Sequence, residues 1–305
     1  MMVVMGVVTE PEHAQHRSPA PGLGAPALPR VSIVTPSYNQ GRFLGETMAS
    51  VLDQGYPDLE YVVVDGGSSD DSASVIRSRE RELAWWASEK DGGQYEAINK
   101  GFARTTGEVM AWINSDDKYT PWALRVVGEV FAQLPEVQWV TTLLPLHWDE
   151  RGVPTKCKPV RGYSKSGFFR GHHLVRPGEW DKAFIQQEST FWRRSLWEKA
   201  GGNIDASLQL AGDFELWANF YQHADLYGIP LPLGGFRVHG DQKTAHRMEA
   251  YVKEAEAVLV RHGGRVEPLP KPSPLARLWR KALGADEQFK VCVNRGGRWV
   301  VASRW

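Results

Sequence analysis

Residues 31–65 read VSIVTPSYNQGRFLGETMASVLDQGYPDLEYVVVD, and this stretch decides the fold class. Val31-Ser32-Ile33-Val34 is a short β-branched apolar run of strand type. From Gly41 to Gln54 the apolar residues Phe43, Leu44, Met48, Val51 and Leu52 recur at helical spacing. Leu59 to Val64 is then nearly all apolar, the form taken by a strand buried on both faces of a parallel sheet. Strand, helix and strand in this order make one βαβ unit, whose crossover is right-handed.

The alternation continues outward. Asp70 to Arg81 reads as a helix with Ser69 or Asp70 available as N-cap, Tyr95 to Arg104 as a helix, and Val109 to Ile113 as a strand. Pro121 suits the first turn of a further helix, and Val137 to Leu144 reads as another strand. The spacing therefore predicts an α/β chain with a mostly parallel, Rossmann-like central sheet flanked by helices. In such sheets ligands collect at the carboxyl ends of the strands. Residues 145–185 are less regular and rich in Gly, Pro and basic residues, helices are predicted over 194–201, 213–223 and Ala245 to His262, and Leu226 to Val238 is predicted extended.

The ends of the chain differ in character. Residues 1–29 finish in SPAPGLGAPALP, without periodicity, and read as a disordered leader. Gly263 to Pro274 reads as a linker. Leu275 to Leu283 is a short basic amphipathic helix whose Arg277, Arg280 and Lys281 suit a peripheral contact with membrane headgroups. Phe289–Val293 and Trp299–Ala302, joined by Asn294-Arg295-Gly296-Gly297, have the form of a hairpin. The expected division is a leader (1–29), a body (30–245, with halves 30–118 and 119–245) and a C-terminal helical and β-hairpin extension (246–305).

Composition bounds the function. The 305 residues are 42% hydrophobic and carry 36 basic and 36 acidic side chains, which excludes a disordered chain and gives no support to a uniformly basic nucleic-acid binder. The zero net charge is uneven: residues 151–182 hold eight basic against two acidic residues, and residues 265–305 nine against three, so each is +6. Cys157 and Cys292 lie far apart with no CxxC spacing, which fits two unpaired thiols in a reducing compartment. The start MMVVMGVV lacks a basic n-region, and no apolar run is long enough to span a bilayer, so the expected location is cytoplasmic, with a peripheral membrane contact at most.

Three carboxylate groups fall just after predicted strands: Asp65 after YVVV, Asp91 after LAWW, and Asp116 with Asp117 after VMAWI. Carboxylates aimed into one crevice suit a hard divalent cation or a ribose edge, although each alone would serve equally as a helix cap. GxGxxG, GxxxxGK[ST] and GxSxG patterns are all missing, so dinucleotide, P-loop and serine-hydrolase chemistry lose their main support. A nucleotidyltransferase and a non-catalytic carbohydrate-binding protein remain as competing readings, the first weakened because TPSYNQGRF is a poor glycine-rich, basic phosphate loop.

The segments VSIVTPSYNQGRFLGETMASVLDQGYPDLEYVVVDGGSSDDS, DGGQYEAINKGFARTTGEVMAWINSDD, FIQQESTFWRRSLWEKAGG, LQLAGDFELWANF and FRVHGDQKT occur in that order. Together they resemble the family 2 glycosyltransferases of bacterial polysaccharide type, which have the GT-A fold. The resemblance implies a metal-dependent, inverting transfer of a sugar from a nucleotide-sugar donor, UDP-linked in the leading reading, to an acceptor hydroxyl. It places Pro36, Tyr38, Asn39, Asp65, Asp91, Asn99, Lys100, Asn114, Ser115 and Asp116 about the nucleotide sugar. It places Asp116, Asp117 and His239 about Mg²⁺ or Mn²⁺, makes Asp213 the general base, and puts Glu188, Trp192 and Trp217 on the acceptor side. Asn114 stands where the family has the first Asp of its DxD motif, and Gly66 where many relatives have a second acid. The chemistry needs these residue types: the leaving diphosphate gains charge that a cation stabilises, and the attacking hydroxyl must lose a proton to a carboxylate. A glycan or lipid-linked anionic acceptor would account for the basic segment 151–182.

Overall fold

A computed structural model describes residues 26–175, 184–240, 242–268 and 289–303. The expected leader up to residue 25, the amphipathic helix at 275–283 and part of the basic segment (176–182) lie outside the described residues. The elements in chain order are β1 (Val31–Ser37), α1 (Gly41–Leu52), β2 (Leu59–Asp65), α2 (Ser72–Ser78), β3 (Trp85–Ser88), α3 (Gln94–Phe102), β4 (Val109–Trp112), β5 (Lys118–Tyr119), α4 (Ala123–Gln133), β6 (Trp139–Thr142), β7 (Leu146–Trp148), β8 (Pro154–Cys157), α5 (Lys165–Phe169), β9 (Phe191–Arg193), α6 (Arg194–Lys199), α7 (Gly212–His223), β10 (Tyr227–Ile229), β11 (Gly234–Arg237), α8 (Lys243–Arg261), β12 (Lys290–Arg295) and β13 (Arg298–Ala302).

The central sheet runs β13-β12-β10-β6-β9-β4-β1-β2-β3. Its two halves, β4-β1-β2-β3 and β6-β10-β12, are internally parallel, and β9 joins them antiparallel to both. The expected hairpin forms and pairs in parallel with β10, so the C-terminal residues extend the main sheet. A smaller four-stranded sheet, β5-β11-β7-β8, joins β11, from the stretch predicted extended, to β7 and β8 of the irregular segment and to β5, for which no strand was predicted.

Register sets the site. Val31 lies opposite Leu59, and Ser37 opposite Asp65, so β1 and β2 end level with each other. β1 is buried along its whole length, as its apolar run requires. α1 turns Phe43, Leu44, Thr47, Met48 and Val51 inward, the helical spacing read from the sequence. The segment after β2 departs from expectation. α2 starts at Ser72, and a 3₁₀ turn at Glu80–Glu82 follows in place of a continuous helix. Asp70 is drawn out of the helix because its carboxylate accepts the backbone N–H of both Ser72 (3.0 Å) and Gly41 (2.9 Å), tying the starts of α2 and α1 together. Pro121 likewise precedes its helix, α4, which begins at Ala123.

α3 packs directly on the sheet because Gly101 has no side chain: a Cβ there would sit 2.5 Å from Val34 Cγ1, inside van der Waals contact. The core this builds includes Val34, Val64 and Ile98, all at most 1% exposed. Gly101→Ala should therefore cost about 1–3 kcal/mol by overpacking, measured by denaturant unfolding. A neutral result would show that α3 can lift from β1 without penalty.

Candidate functional site

A cavity of about 700 Å³ opens at the carboxyl ends of β1, β2 and β4. Pro36, Ser37 and Tyr38 line it from β1, Gly66 and Gly67 from the loop after β2, and Asn114, Ser115 and Asp116 from the turn after β4. Asp91 to Tyr95 enter at the start of α3, while Glu188, Asp213, Phe236 and Tyr251 come from the second half of the chain. This is where the strand pattern placed a ligand. Tyr38 is 61% exposed, a large aromatic left uncovered at the cavity rim.

Some expected donor contacts instead build the wall. Asp65 is fully buried and accepts the Ser68 N–H (3.0 Å) and the Ser88 hydroxyl (2.6 Å), which fastens the loop after β2. Asn39 adopts a left-handed φ of 52° and cross-links the same loop: its Oδ1 accepts the Ser69 N–H (2.8 Å), and its own N–H donates to Ser68 Oγ (2.8 Å). Two expected contacts lie away from the cavity. Asn99 clamps the backbone of Ile204, donating to its carbonyl (2.7 Å) and accepting its N–H (2.9 Å). Lys100 pairs with Glu89 and lies over the Trp85 ring. None of these four residues lines the cavity, and each has at least one protein partner for its side chain.

The turn after β4 is held from behind by Arg237, whose side chain is fully buried. Its Nε donates to the Asp116 carbonyl (2.6 Å), Nη1 to the Glu150 carbonyl (2.9 Å) and Nη2 to Glu46 Oε2 (2.6 Å). Its backbone N–H donates to Asp117 Oδ1 (2.8 Å). Thr47 Oγ1 adds contacts to the carbonyls of Ser115 (2.9 Å) and Asp117 (2.6 Å). The turn is thereby forced to show Asp116 to the cavity and Asp117 to the interior. The other Asp117 oxygen accepts from Asn114 Nδ2 (3.2 Å). Burial pushes the Asp117 carboxyl well above the usual carboxylate range, and the nearby Glu188 and Asp116 add to the shift. Asp117 is thus corrected from a metal ligand to a buried anchor.

Asp116 Oδ2 lies 3.0 Å from His239 Nε2, with His239 buried and Asp116 partly open. A carboxylate and an imidazole meeting at a cavity wall fit a hard divalent cation. Among the described residues no group of three or more His, Cys, Asp and Glu side chains surrounds one point, so a cation here would need oxygens from a ligand or water as well.

Asp213 begins α7, and its Oδ1 has no hydrogen-bond partner. Burial raises its pKa to about 6 against the bonds it accepts from the helix backbone, and Glu254 adds to the rise. The loop before it is fixed by two side chains. Glu254 of α8 accepts the N–H groups of Gln209 (2.9 Å), Leu210 (2.7 Å) and Ala211 (2.6 Å). The Tyr95 hydroxyl donates to the Leu210 carbonyl (2.7 Å) and accepts the Gly212 N–H (2.9 Å). Gly212 is required there, since a Cβ would come within 2.6 Å of the Tyr95 ring. Glu188 is buried, with Oε2 unpartnered, and burial followed by the Asp213 and Asp116 charges raises its pKa.

The tryptophans divide. Trp192 is fully buried, edge-on to Trp112 (5.6 Å) and stacked near Trp197 (6.3 Å), and it lines neither this cavity nor its neighbour. Its acceptor role is corrected to core filling. Trp217 is also buried, stacked on Trp112 (6.1 Å) and Trp139 (5.5 Å), but it lines a smaller apolar pocket beside the cavity. Sequence reasoning missed Arg237, Tyr95 and Glu254. Each lies in or near a quoted motif or a predicted helix, but only long-range contacts distinguish it from an ordinary solvated side chain.

The model of the family described as "Glycosyl transferase family 2" matches residues 32–166. The uncharacterized glycosyltransferase MT1564 of Mycobacterium tuberculosis (strain CDC 1551 / Oshkosh) is 39% identical over 190 residues, 62% of this chain and 68% of the relative. The chain belongs to glycosyl transferase family 2. Among solved structures, Staphylococcus aureus TarS 1-349 in complex with UDP-GlcNAc is similar with a TM-score of 0.60 and 15% identity, over 78% of this chain and 68% of that one. The mannosyltransferase PcManGT of Pyrobaculum calidifontis, in complex with GDP-Man and Mn²⁺, is similar with a TM-score of 0.57 and 20% identity, over 83% and 70%. These two likenesses show the fold, which is GT-A. In this glycosyltransferase the family-model match covers the loops after β1, β2 and β4, while Asp213 and His239 lie beyond it.

Arg237 supplies a test. Arg237→Lys keeps the charge but loses the planar fork, and should cost about 2–4 kcal/mol from buried acceptors left unpaired. Glu46→Gln, on a part-exposed partner, should cost about 1 kcal/mol or less. Equal costs in chemical denaturation would contradict the assignment of Arg237 as the hub.

Proposed function

We propose that this glycosyltransferase moves a hexose, with inversion, from a nucleotide-sugar donor to an acceptor hydroxyl, with Asp213 as general base and a divalent cation on the donor diphosphate. The observation that carries the reading is the unpartnered, buried carboxylate oxygen of Asp213 in the wall of the cavity that also displays Asp116 beside His239. In this reading residues 30–118 form the donor half and 119–245 the acceptor half of one body. A cell-surface polysaccharide or glycolipid acceptor follows from the resemblance seen in the sequence.

The nucleotide occupies the strand-end part of the cavity, with Tyr38 at its rim, Asp91 and the Gly92-Gly93 backbone beside it, and Pro36 closing the floor. UDP is the leading nucleotide. Asp116 and His239 would hold Mg²⁺ or Mn²⁺, which when bound supplies positive charge to the departing diphosphate. Asn114 and Ser115 shape the turn that presents Asp116. Asp213 accepts the acceptor hydroxyl's proton as its oxygen attacks the sugar carbon. A single base on the face away from the leaving group inverts the configuration without a covalent intermediate. Its raised pKa, set first by burial, brings it nearer the working pH while leaving it ionised at neutrality. Glu188 stays in the same wall as a second acid on the acceptor side, and its own raised pKa keeps it a weaker competitor for the role at neutral pH. No helix among the described residues is long and apolar enough to cross a membrane, and the proposed membrane contact is peripheral.

Asp213→Asn should lower kcat by about 10²–10⁴-fold while donor binding by calorimetry is retained, and full activity would sink the base assignment. The wild-type rate should fall about tenfold per pH unit below about pH 6, where Asp213 takes up a proton. The sign for stability is opposite. The folded-state pKa lies above the ordinary carboxylate value, so the stabilising effect of the protonated form is complete at low pH and lost as pH rises through about 6. Asp213→Asn should accordingly raise Tm at pH 8 but not at pH 4.

The basic segment makes a separate prediction. Lys156 lies on β8, an edge strand of the smaller sheet, and Lys158 and Arg161 follow it in the chain. If this face meets an anionic, lipid-diphosphate-type acceptor, reversing the three charges should raise the acceptor KM several-fold and leave the donor KM unchanged. Unaltered acceptor kinetics would remove that part of the reading.

A further inference from the structure

Behind the catalytic wall lies a second cavity of about 100 Å³, whose aromatic and aliphatic face includes Phe168, Phe214, Trp217 and Met248 and whose polar points are His147, His173, Gln187 and Tyr251. Asp213 and Glu188 border both this cavity and the larger one, so the two spaces share a wall that contains the proposed base. Its apolar lining is rigidly packed: Phe168 stacks on Phe214 at 4.5 Å, and Trp217 stacks on Trp112 and Trp139. Phe168 and Trp217 are fully buried, and Phe214 is 3% exposed. A nucleotide or a diphosphate is disfavoured there, since an anion would lose its hydration beside the Asp213 and Glu188 carboxylates. A sugar ring would meet polar groups at His147, His173, Gln187 and Tyr251 besides the two shared carboxylates, but the rest of the lining is aromatic or aliphatic and offers its hydroxyls nothing.

We infer that this cavity is an acceptor subsite for a compact apolar substituent, an aryl or short alkyl aglycone next to the hydroxyl that Asp213 deprotonates. The inference rests on the glycosyltransfer reading and names the class of acceptor for that same site. Size suits the occupant: an apolar cavity of about 150 Å³ holds benzene, so this one takes a ring-sized group seated partly in the larger space. Position limits it. A group lodged between Phe168 of α5 and Met248 of α8 is carried on the acceptor, because the nucleotide side of the larger cavity is built from the strand-end loops of the first half of the chain.

Phenyl and methyl glycosides of glucose, galactose, mannose and N-acetylglucosamine test this as matched pairs, read by calorimetry and saturation-transfer NMR with UDP and Mn²⁺ present. Burying the ring predicts phenyl binding about tenfold tighter than methyl, whichever sugar carries it. Met248→Phe, which fills the cavity from α8, should bring each pair within about twofold. Met248→Leu, of similar volume, should keep the preference and show that a loss in the first variant is not unfolding. Equal binding of phenyl and methyl glycosides to the wild type overturns the inference, as does a preference that survives Met248→Phe. Nucleotide-sugar binding is measured separately in all three proteins. Its absence from the wild type would overturn the glycosyltransfer reading, while the aryl preference would still be decided by the paired glycosides.

Discussion

The site depends on one buried cation. Arg237 arrives on β11, from late in the chain, and spends its guanidinium on the carbonyls of Asp116 and Glu150 and the carboxylate of Glu46. A guanidinium taken wholly out of water is costly unless it finds acceptors, and each nitrogen of this one finds an acceptor on a separate segment. Its backbone N–H takes up Asp117 as well. The consequence is directional: of two adjacent aspartates, one is pulled inward and the other is left facing the cavity. Because β11 also leads into His239, the residue that locks the turn and the residue that meets Asp116 belong to the same strand end.

A parallel device acts on the other side of the cavity. The loop before α7 has its free amides collected by Glu254 and its Leu210 carbonyl and Gly212 N–H held by Tyr95. Asp213 then emerges from a rigid turn with one oxygen unsatisfied. An unpaired buried acceptor is costly, and a cost retained at a cavity wall is the usual mark of a group kept ready for a ligand. The two devices hold the proposed metal-side and base-side carboxylates on independent scaffolds, one from the smaller sheet and one from the paired helices α7 and α8.

Much of this was legible beforehand. The apolar runs at 31–34 and 59–64 and the periodic stretch between them specified a parallel α/β sheet, and its strand ends specified where the cavity would be. Asp116, Asp213, Pro36, Tyr38 and Asp91 all reach that cavity. Other residues of the same motifs do not line it. Asn99 and Lys100 lie on α3, and only the packing of that helix decides which side looks into the cavity. Trp192 lies beside an acceptor-side motif, yet β9 is an interior strand and a side chain there meets other rings. The four-stranded sheet was unreadable because its strands are two to four residues long, too short to show a period, and draw on distant segments.

By itself, the sequence determined the class of architecture, the order of the elements and the supply of carboxylates at the strand ends, because hydrophobic periodicity and strand-end chemistry are local properties. Only the tertiary structure decided which carboxylate is presented and which is consumed, whether a tryptophan is wall or core, and that an apolar pocket adjoins Asp213. Those outcomes turn on hydrogen bonds and ring contacts between residues far apart in the chain, such as Arg237 with Asp116 and Glu254 with Leu210. No local pattern encodes a partner at that separation.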